Sequence, residues 1–360
     1  MQFSRMLARW FPVPQLLAPH AAGIDITDTS VKWLLFAQDK NGLRVASWGT
    51  VPIAPGIVER GAVKDPKALG EVLQTIRKTH GIRAAHAALP EEDAYIFSMH
   101  VPPRSARREA MHMIEFELET RVPIPIAQAV YDFDTVFVRD DSGEEIAVSV
   151  FPLELAQGYV EAFRVGGIDL RSLELEARSV GRATSTPMNE ATTLLVDCGH
   201  VRTGVAILRN GIPMFTSTLD IGGMHLSKAV METLSVSEDE ARTFKNEHGI
   251  VGAPDDKARL ALERALHDIG DEIAKHHRFW ETRRTEHGEQ MAPVERVHLL
   301  GGSANLKGFP EYVASMVHVP TERPNVWQNA ISFDETIPSI TRRESLQYAT
   351  AIGLALRSVS

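Results

Sequence analysis

The chain has 360 residues, 44% of them hydrophobic and 24% charged, and a formal net charge of −9. That length allows two or three domains around a sizeable core, and the acidic balance lacks the basic footprint of a general nucleic-acid binder. Its single cysteine, Cys198, excludes an intramolecular disulfide and a cysteine-based zinc site, and fits a reducing compartment.

In residues 1–20, Phe3, Met6, Leu7, Trp10 and Phe11 fall on one helical face, and Arg5 and Arg9 are the only charged side chains. Such a segment either lies in a membrane interface or forms a short cap on its own domain, ended by Pro12, Pro14 and Pro19. No run in the chain approaches the ~18–20 apolar residues that span a bilayer. Gly23-Ile24-Asp25-Ile26 then reads as a strand end and 27–30 as a turn. Residues 31–36 return, Asn41-Gly42 makes a second bend, and 43–48 form a third strand. Leu69, Val72, Leu73 and Ile76 predict an amphipathic helix over 65–80 with Asp65 as its N-cap, followed by a strand at 84–89.

From 94 to 176 the pattern is strand (95–101), helix (105–121), two strands (130–138 and 146–151), helix (153–165) and strand (168–175). This β-α-β-β-α-β order reads as an α+β module of its own. Arg104, Arg107 and Arg108 make a basic patch on its first helix, either a solvated face or a surface for an acidic partner. Residues 182–190 have the composition of a linker.

The strand–turn–strand–turn–strand unit then recurs. Leu194-Leu195-Val196 ends in Asp197, Cys198-Gly199-His200 turns, 205–208 return, and Asn210-Gly211 reverses the chain again. Two such units at an almost constant offset predict a duplicated domain with a cleft between its halves. A helix follows Gly222-Gly223, Ser237 caps another running to about His248, and a proline-free stretch from 255 to about 287 predicts a long helix. Its adjacent His276 and His277 face different sides, which argues against a shared metal site. A strand at 297–300 delivers Gly301-Gly302-Ser303. A final helix at 344–357 carries Ala349, Ala351, Gly353 and Ala355, small enough for close packing at the junction of the halves.

The order of several short stretches resembles the PilM family of type IV pilus assembly proteins, relatives of FtsA in the actin-like ATPase superfamily. They are Gly-Ile-Asp-Ile-x-x-x-Ser-Val-Lys (23–32), Leu-Pro-Glu-Glu (89–92), Ile-Glu-Phe-Glu-x-x-x-x-Val-Pro-Ile-Pro (114–125), Asp-Ile-Gly-Gly (220–223), Leu-Leu-Gly-Gly-Ser-Ala-Asn-Leu-x-Gly (299–308) and Ala-Thr-Ala-Ile-Gly-Leu-Ala-Leu-Arg (349–357). The resemblance implies an α/β fold of duplicated actin-like, ribonuclease H-like halves. The first would span 21–93, with helix 344–357 packed near it. An inserted FtsA/PilM-type α+β subdomain would occupy 94–180, and the second half 190–330, with a helical subdomain at 226–290.

It also implies a site for ATP and Mg²⁺. Phosphate loops would be formed by Thr27, Asp28, Thr29 and Ser30 in one half and Gly199, Arg202 and Thr203 in the other, with Ser30 and Thr203 as hydroxyl donors. Asp25 and Asp197 would hold Mg²⁺ through water, Lys32 would face the phosphates, and Gly301, Gly302 and Ser303 would receive the adenosine. Gly222 and Gly223 would lie across the cleft, with Lys245 near the ribose. Two positions depart from the family pattern: Thr27 stands where a glycine is expected, and Arg242 where an acidic residue is expected near the ribose. No catalytic base is evident, so at most slow ATP hydrolysis is expected. The implied role is a cytoplasmic scaffold at the inner membrane, docked on the N-terminal tail of a bitopic PilN-like protein and in contact with other pilus assembly proteins, not with nucleic acid. A small-molecule kinase of the same superfamily and a GspL-like secretion component are the alternatives.

Overall fold

In a computed structural model, which describes residues 20–39, 42–139, 143–186, 191–252, 255–285, 288, 290–334 and 336–358, two five-stranded sheets repeat one topology. In the first, β1 (Ala22–Ile26), β2 (Ser30–Asp39) and β3 (Gly42–Pro52) form an antiparallel meander. A two-strand ribbon, β4 (Val58–Glu59) with β5 (Ala62–Val63), leads to helix α1 (Pro66–His80). Asp65 caps α1 by accepting from the Lys67 and Ala68 N–H groups, and Gly81 closes it at φ 70°. The chain then returns as β6 (Ala84–Leu89), parallel to β1 and buried along its whole length.

Next comes the inserted module. β7 (Tyr95–Val101), helix α2 (Arg107–Arg121), β8 (Ala129–Arg139) and β9 (Gly143–Pro152) make an antiparallel sheet ordered β7-β9-β8. Its core, including Phe97, Met99, Ile114, Leu118, Ile146 and Val148, is separate from those of the halves. The order of elements over 94–176 reads as one six-part unit, but the last two parts lie elsewhere. Helix α3 (Leu153–Gly166) packs on α1, where a Cβ on Gly70 would meet Val165 at 2.5 Å and one on Gly166 would meet Leu73 at 2.7 Å. Strand β10 (Asp169–Leu175) pairs in parallel with β6 and completes the first sheet as β3-β2-β1-β6-β10. Sequence order does not say which sheet a strand joins; the fully buried row of β6 needed a partner on its second edge.

Helix α4 (Glu176–Thr184) carries the chain to the second half, extending into the stretch whose composition suggests a linker. There β11 (Thr192–Cys198), β12 (Thr203–Arg209) and β13 (Ile212–Leu219) repeat the meander. Helices α5 (Gly223–Leu234), α6 (Glu238–His248) and α7 (Asp256–Thr282) follow, with Ser237 and Asp255 capping α6 and α7. Strand β14 (Val294–Leu300) runs parallel to β11, helix α8 (Phe309–Val317) crosses over, and the short β15 (Thr321–Glu322) gives β13-β12-β11-β14-β15. This is the order of the first sheet, strand for strand.

The expected last helix is two, α9 (Arg342–Ser345) and α10 (Ala349–Leu356). The break is used: the Leu346 carbonyl accepts the Gly301 N–H at 3.1 Å, which anchors the glycine turn after β14. Helix α10 then wedges between β1 and α4 with backbone nearly touching backbone. A Cβ on Gly23 would lie 1.9 Å from the Ala351 carbonyl oxygen, and one on Gly353 1.8 Å from that of Ser179. Among the described residues, no helix is long and apolar enough to cross a membrane. The apolar stripe from Phe3 to Phe11 lies outside the described residues.

Candidate nucleotide site

Because the halves repeat one topology, their first bends face each other. Asp25 is level with Lys32 in the β1–β2 pair, and Asp197 with Gly204 in the β11–β12 pair, so each aspartate sits one residue before its strand ends. Between them is a cavity of about 410 Å³. From the first half it is lined by Asp25, Thr27, Asp28, Thr29, Ser30 and Lys32. The second half contributes Asp197, Gly199, Arg202, Gly223, Lys245, Gly301, Gly302 and Ser303.

Two of the residues singled out in sequence do not line it. Thr203 is fully buried and its hydroxyl donates to the Ile221 carbonyl at 2.6 Å. Gly222 lies beneath the 199–202 loop, where a Cβ would come within 2.6 Å of Val201 and 2.8 Å of the Arg202 nitrogen. Both shape the loop from behind.

The loops differ in what they offer. The Thr27 hydroxyl accepts from the Ser30 N–H at 3.2 Å and donates to the Ser30 carbonyl at 3.1 Å, so the threonine that replaces the expected glycine closes its own turn. Asp28 accepts from the Gly61 and Arg60 N–H groups at 2.9 and 3.2 Å. It also meets the Arg202 guanidinium at 2.6 Å, and Arg202 pairs with Glu92 as well. One arginine of the second half is thereby seated in a socket of two carboxylates on the first. On the other wall Gly301, at φ 80°, leaves 2.4 Å between a hypothetical Cβ and Asp197 Oδ1, so only glycine fits against that carboxylate. Lys245 Nζ donates to the Gly223 carbonyl at 2.9 Å and to Ser227 Oγ at 3.1 Å, which fixes it to the start of α5. Arg242 lines the cavity while paired with Asp239.

Charge dominates the interior. Lys32 Nζ donates to Asp25 Oδ2 at 3.3 Å. Burial by itself would lower the Lys32 pKa, but Asp25 and Asp197 together hold it above the usual lysine value. Asp197 is pushed up to about 6, first by burial and then by the neighbouring Asp25 charge. Three carboxylates that the sequence reading left unassigned also line the cavity: Glu91, Glu92 and Glu176. Glu91 Oε1 accepts the Ala177 N–H at the start of α4 at 2.8 Å. Burial nevertheless raises its pKa to about 8, and burial followed by the Glu91 charge pushes Glu176 well above the carboxylate range. Glu91 and Glu92 stand in the Leu-Pro-Glu-Glu stretch, a signal available in the sequence. Glu176 carried none, since a glutamate in a first helical turn is ordinary.

Six carboxyl groups, Glu91 and Glu176 among them shifted toward the neutral form, thus face four cations, Lys32, Arg202, Arg242 and Lys245, so the cavity offers a polyphosphate no excess of positive charge and a counter-cation would be needed. Hard oxygen donors suit Mg²⁺. Among the described residues no three acidic, histidine or cysteine side chains converge closely enough to hold a metal directly. The ion would therefore be held through waters and phosphate oxygens, with Asp25 and Asp197 behind them.

The model of the family described as type IV pilus assembly protein PilM matches residues 23–359. A chain of a PilM–PilN type IV pilus biogenesis complex superposes with a TM-score of 0.76 at 21% identity, covering 95% of this chain and 99% of that one. Ethanolamine utilization protein EutJ from Carboxydothermus hydrogenoformans is similar at a TM-score of 0.52 and 16% identity, over 99% of this chain and 97% of its own. MreB5 of Spiroplasma citri, in a structure bound to ADP, is similar at 0.50 and 13%, over 92% and 94%. These likenesses show a shared actin-like fold, and with a family model spanning nearly all of the sequence, the chain belongs to the family of the type IV pilus assembly protein PilM.

Proposed function

We propose that this pilus assembly protein is a nucleotide-binding scaffold that closes its two halves on Mg-ATP and docks, peripherally at the inner membrane, on the N-terminal tail of a PilN-like protein. The cavity carries the nucleotide reading: two topologically equivalent aspartates, a lysine between them and glycine turns on the far wall enclose one space of nucleotide scale. When bound, Mg²⁺ neutralises phosphate charge that the carboxylates would otherwise repel. Lys32 faces the same phosphates, Gly301 and Gly302 let the adenosine lie against backbone, and Lys245 stands near the ribose.

Turnover is expected to be slow. Burial raises the pKa of Glu91 to about 8 and pushes that of Glu176 up as well, and a carboxyl shifted toward its neutral form is a poor acceptor for the proton of an attacking water. Nucleotide then acts chiefly as a conformational ligand. Isothermal titration with ATP, with and without Mg²⁺, tests the reading: Mg-dependent binding is expected, and no heat even at millimolar Mg-ATP would leave a scaffold that needs no nucleotide.

The partner reading draws on the module. β8 forms one edge of its three-stranded sheet, and an extended peptide can pair with such an edge while placing alternate side chains in pockets.

A further inference from the structure

Two amides line the cavity outside its charge network, Gln347 between α9 and α10 and Asn246 on α6. The cations around them are already engaged. Lys32 pairs with Asp25, Arg202 with Asp28 and Glu92, Arg242 with Asp239, and Lys245 with the Gly223 carbonyl and Ser227. Gln347 and Asn246 are both exposed, and among the described residues neither side chain has a hydrogen-bond partner. A network of charges serves a triphosphate and its counter-cation, which every nucleoside triphosphate carries alike. Choice among bases has to come from polar groups that face the base, and these two amides are uncommitted.

Gln347 is held beside the turn that receives the nucleoside. The Leu346 carbonyl, one residue before it, accepts the Gly301 N–H at 3.1 Å. The Asn305 side chain donates to the Arg343 carbonyl at 2.9 Å, and the Gln347 N–H to the Glu344 carbonyl at 3.0 Å. With the backbone laced in this way, the Gln347 amide comes to Gly302. Its carbonyl carbon lies 3.6 Å, and Oε1 3.8 Å, from where a Cβ on Gly302 would stand. The glycine before it, Gly301, abuts Asp197, so Gln347 approaches from the phosphate side of the turn. In an anti nucleotide the N7 edge of a purine turns toward its phosphates and the N1 edge away from them.

We infer that Gln347 selects adenine: its side-chain carbonyl accepts from the 6-amino group while its NH₂ donates to N7. The inference rests on the nucleotide reading above and adds the base to it. A glutamine amide matches that edge of adenine in both bonds. Guanine presents two acceptors there, O6 and N7, which leaves the amide oxygen facing an acceptor and one bond unmade. A site built to make a hydrogen bond rejects the analogue that cannot make it, because the group left behind is unpaired.

The test is calorimetric titration of the full chain with Mg-ATP, Mg-GTP and Mg-7-deaza-ATP, the last lacking only the N7 acceptor. Wild type is expected to bind Mg-ATP at least about tenfold more tightly than Mg-GTP, and 7-deaza-ATP several-fold more weakly than ATP. Gln347→Ala should bring all three within about twofold of one another by weakening ATP. Gln347→Lys, a donor alone, should move the order toward GTP, since lysine suits O6 and N7 of guanine. Asn246→Ala should keep the wild-type order, with circular dichroism unchanged in every variant. Equal wild-type affinity for ATP and GTP, full affinity for 7-deaza-ATP, or an unaltered ATP preference in Gln347→Ala would each overturn the inference while leaving nucleotide binding intact. Loss of the preference in Asn246→Ala alone would move base selection to α6 and overturn it too. No binding of any of the three would instead sink the nucleotide reading itself, and this inference with it.

Discussion

Asp197 and Cys198 are neighbours with opposite surroundings, and the contrast makes a sharp test. Asp197 opens on the cavity with Lys32 and Asp25 near it, whereas Cys198 is fully buried and its sulfur meets the Thr203 hydroxyl. Asp197→Ala should raise the Kd for Mg-ATP by about tenfold or more, the equivalent of ~1.4 kcal/mol, and Cys198→Ser by much less. Equal losses from two folded variants would take the metal role from Asp197. Glu91 carries a pH signature. Its pKa rises from 4.5 to about 8 in the folded protein, so the native state binds the proton more tightly than the unfolded chain. Stability from this group is complete below about 4.5 and is lost as pH rises through 8. Glu91→Gln keeps the hydrogen-bonding shape without the charge. Its melting temperature should match that of the wild type near pH 5 and exceed it near pH 9; a constant difference across that range would show that Glu91 ionises freely.

At the level of elements, the cleft is closed by turns rather than by strands. The 27–30 turn reaches the second half through Asp28, the 199–203 turn reaches back through Arg202, and Glu92 after β6 completes the socket. All three side chains are mostly buried, and Glu92 is pushed up by burial against the opposing pull of Arg202. Removing the arginine leaves two carboxylates facing each other with no cation between them. Arg202→Ala should therefore cost about 3 kcal/mol of stability and speed hydrogen exchange in both turns together, while Arg202→Lys should recover part of each. An unchanged melting temperature with unchanged exchange would show that the bridge contributes nothing to holding the halves.

The inserted module joins the whole molecule together, because it touches both halves. It continues into α3 and β10 on one side. On the other, Arg209 of the second half meets Glu145 at 3.1 Å and stacks on Phe137 at 4.6 Å, Arg178 pairs with Asp134 at 2.9 Å, and the Asn210 side chain donates to the Val136 carbonyl. A peptide held on the module would thus be felt at the β12–β13 bend. Hydrogen exchange with the N-terminal peptide of a PilN-like partner should show protection in β8 and beside it; protection confined to the helices of the second half would place docking elsewhere. Excising 94–176 would be a poor test, since it removes β10 from the first sheet along with the module.

Much of this was fixed locally, by residues whose neighbours in sequence are their neighbours in space. The two meanders with Asp25 and Asp197 at their bends, the capped helices α1, α6 and α7, and the close-packing glycine of α10 all rest on periodicity, turn chemistry or small side chains within a few positions. Tertiary structure decided what depends on distant partners. It assigned β10 to the first sheet, because a parallel edge is chosen by burial and not by chain order. It split the last helix where the Leu346 carbonyl serves Gly301. It turned Thr203 inward and drew Glu91, Glu92 and Glu176 into the cavity, where low dielectric and crowded charge set their protonation. No spacing along the chain could show that, because the pKa of a buried carboxylate belongs to its surroundings, and those come from both halves at once.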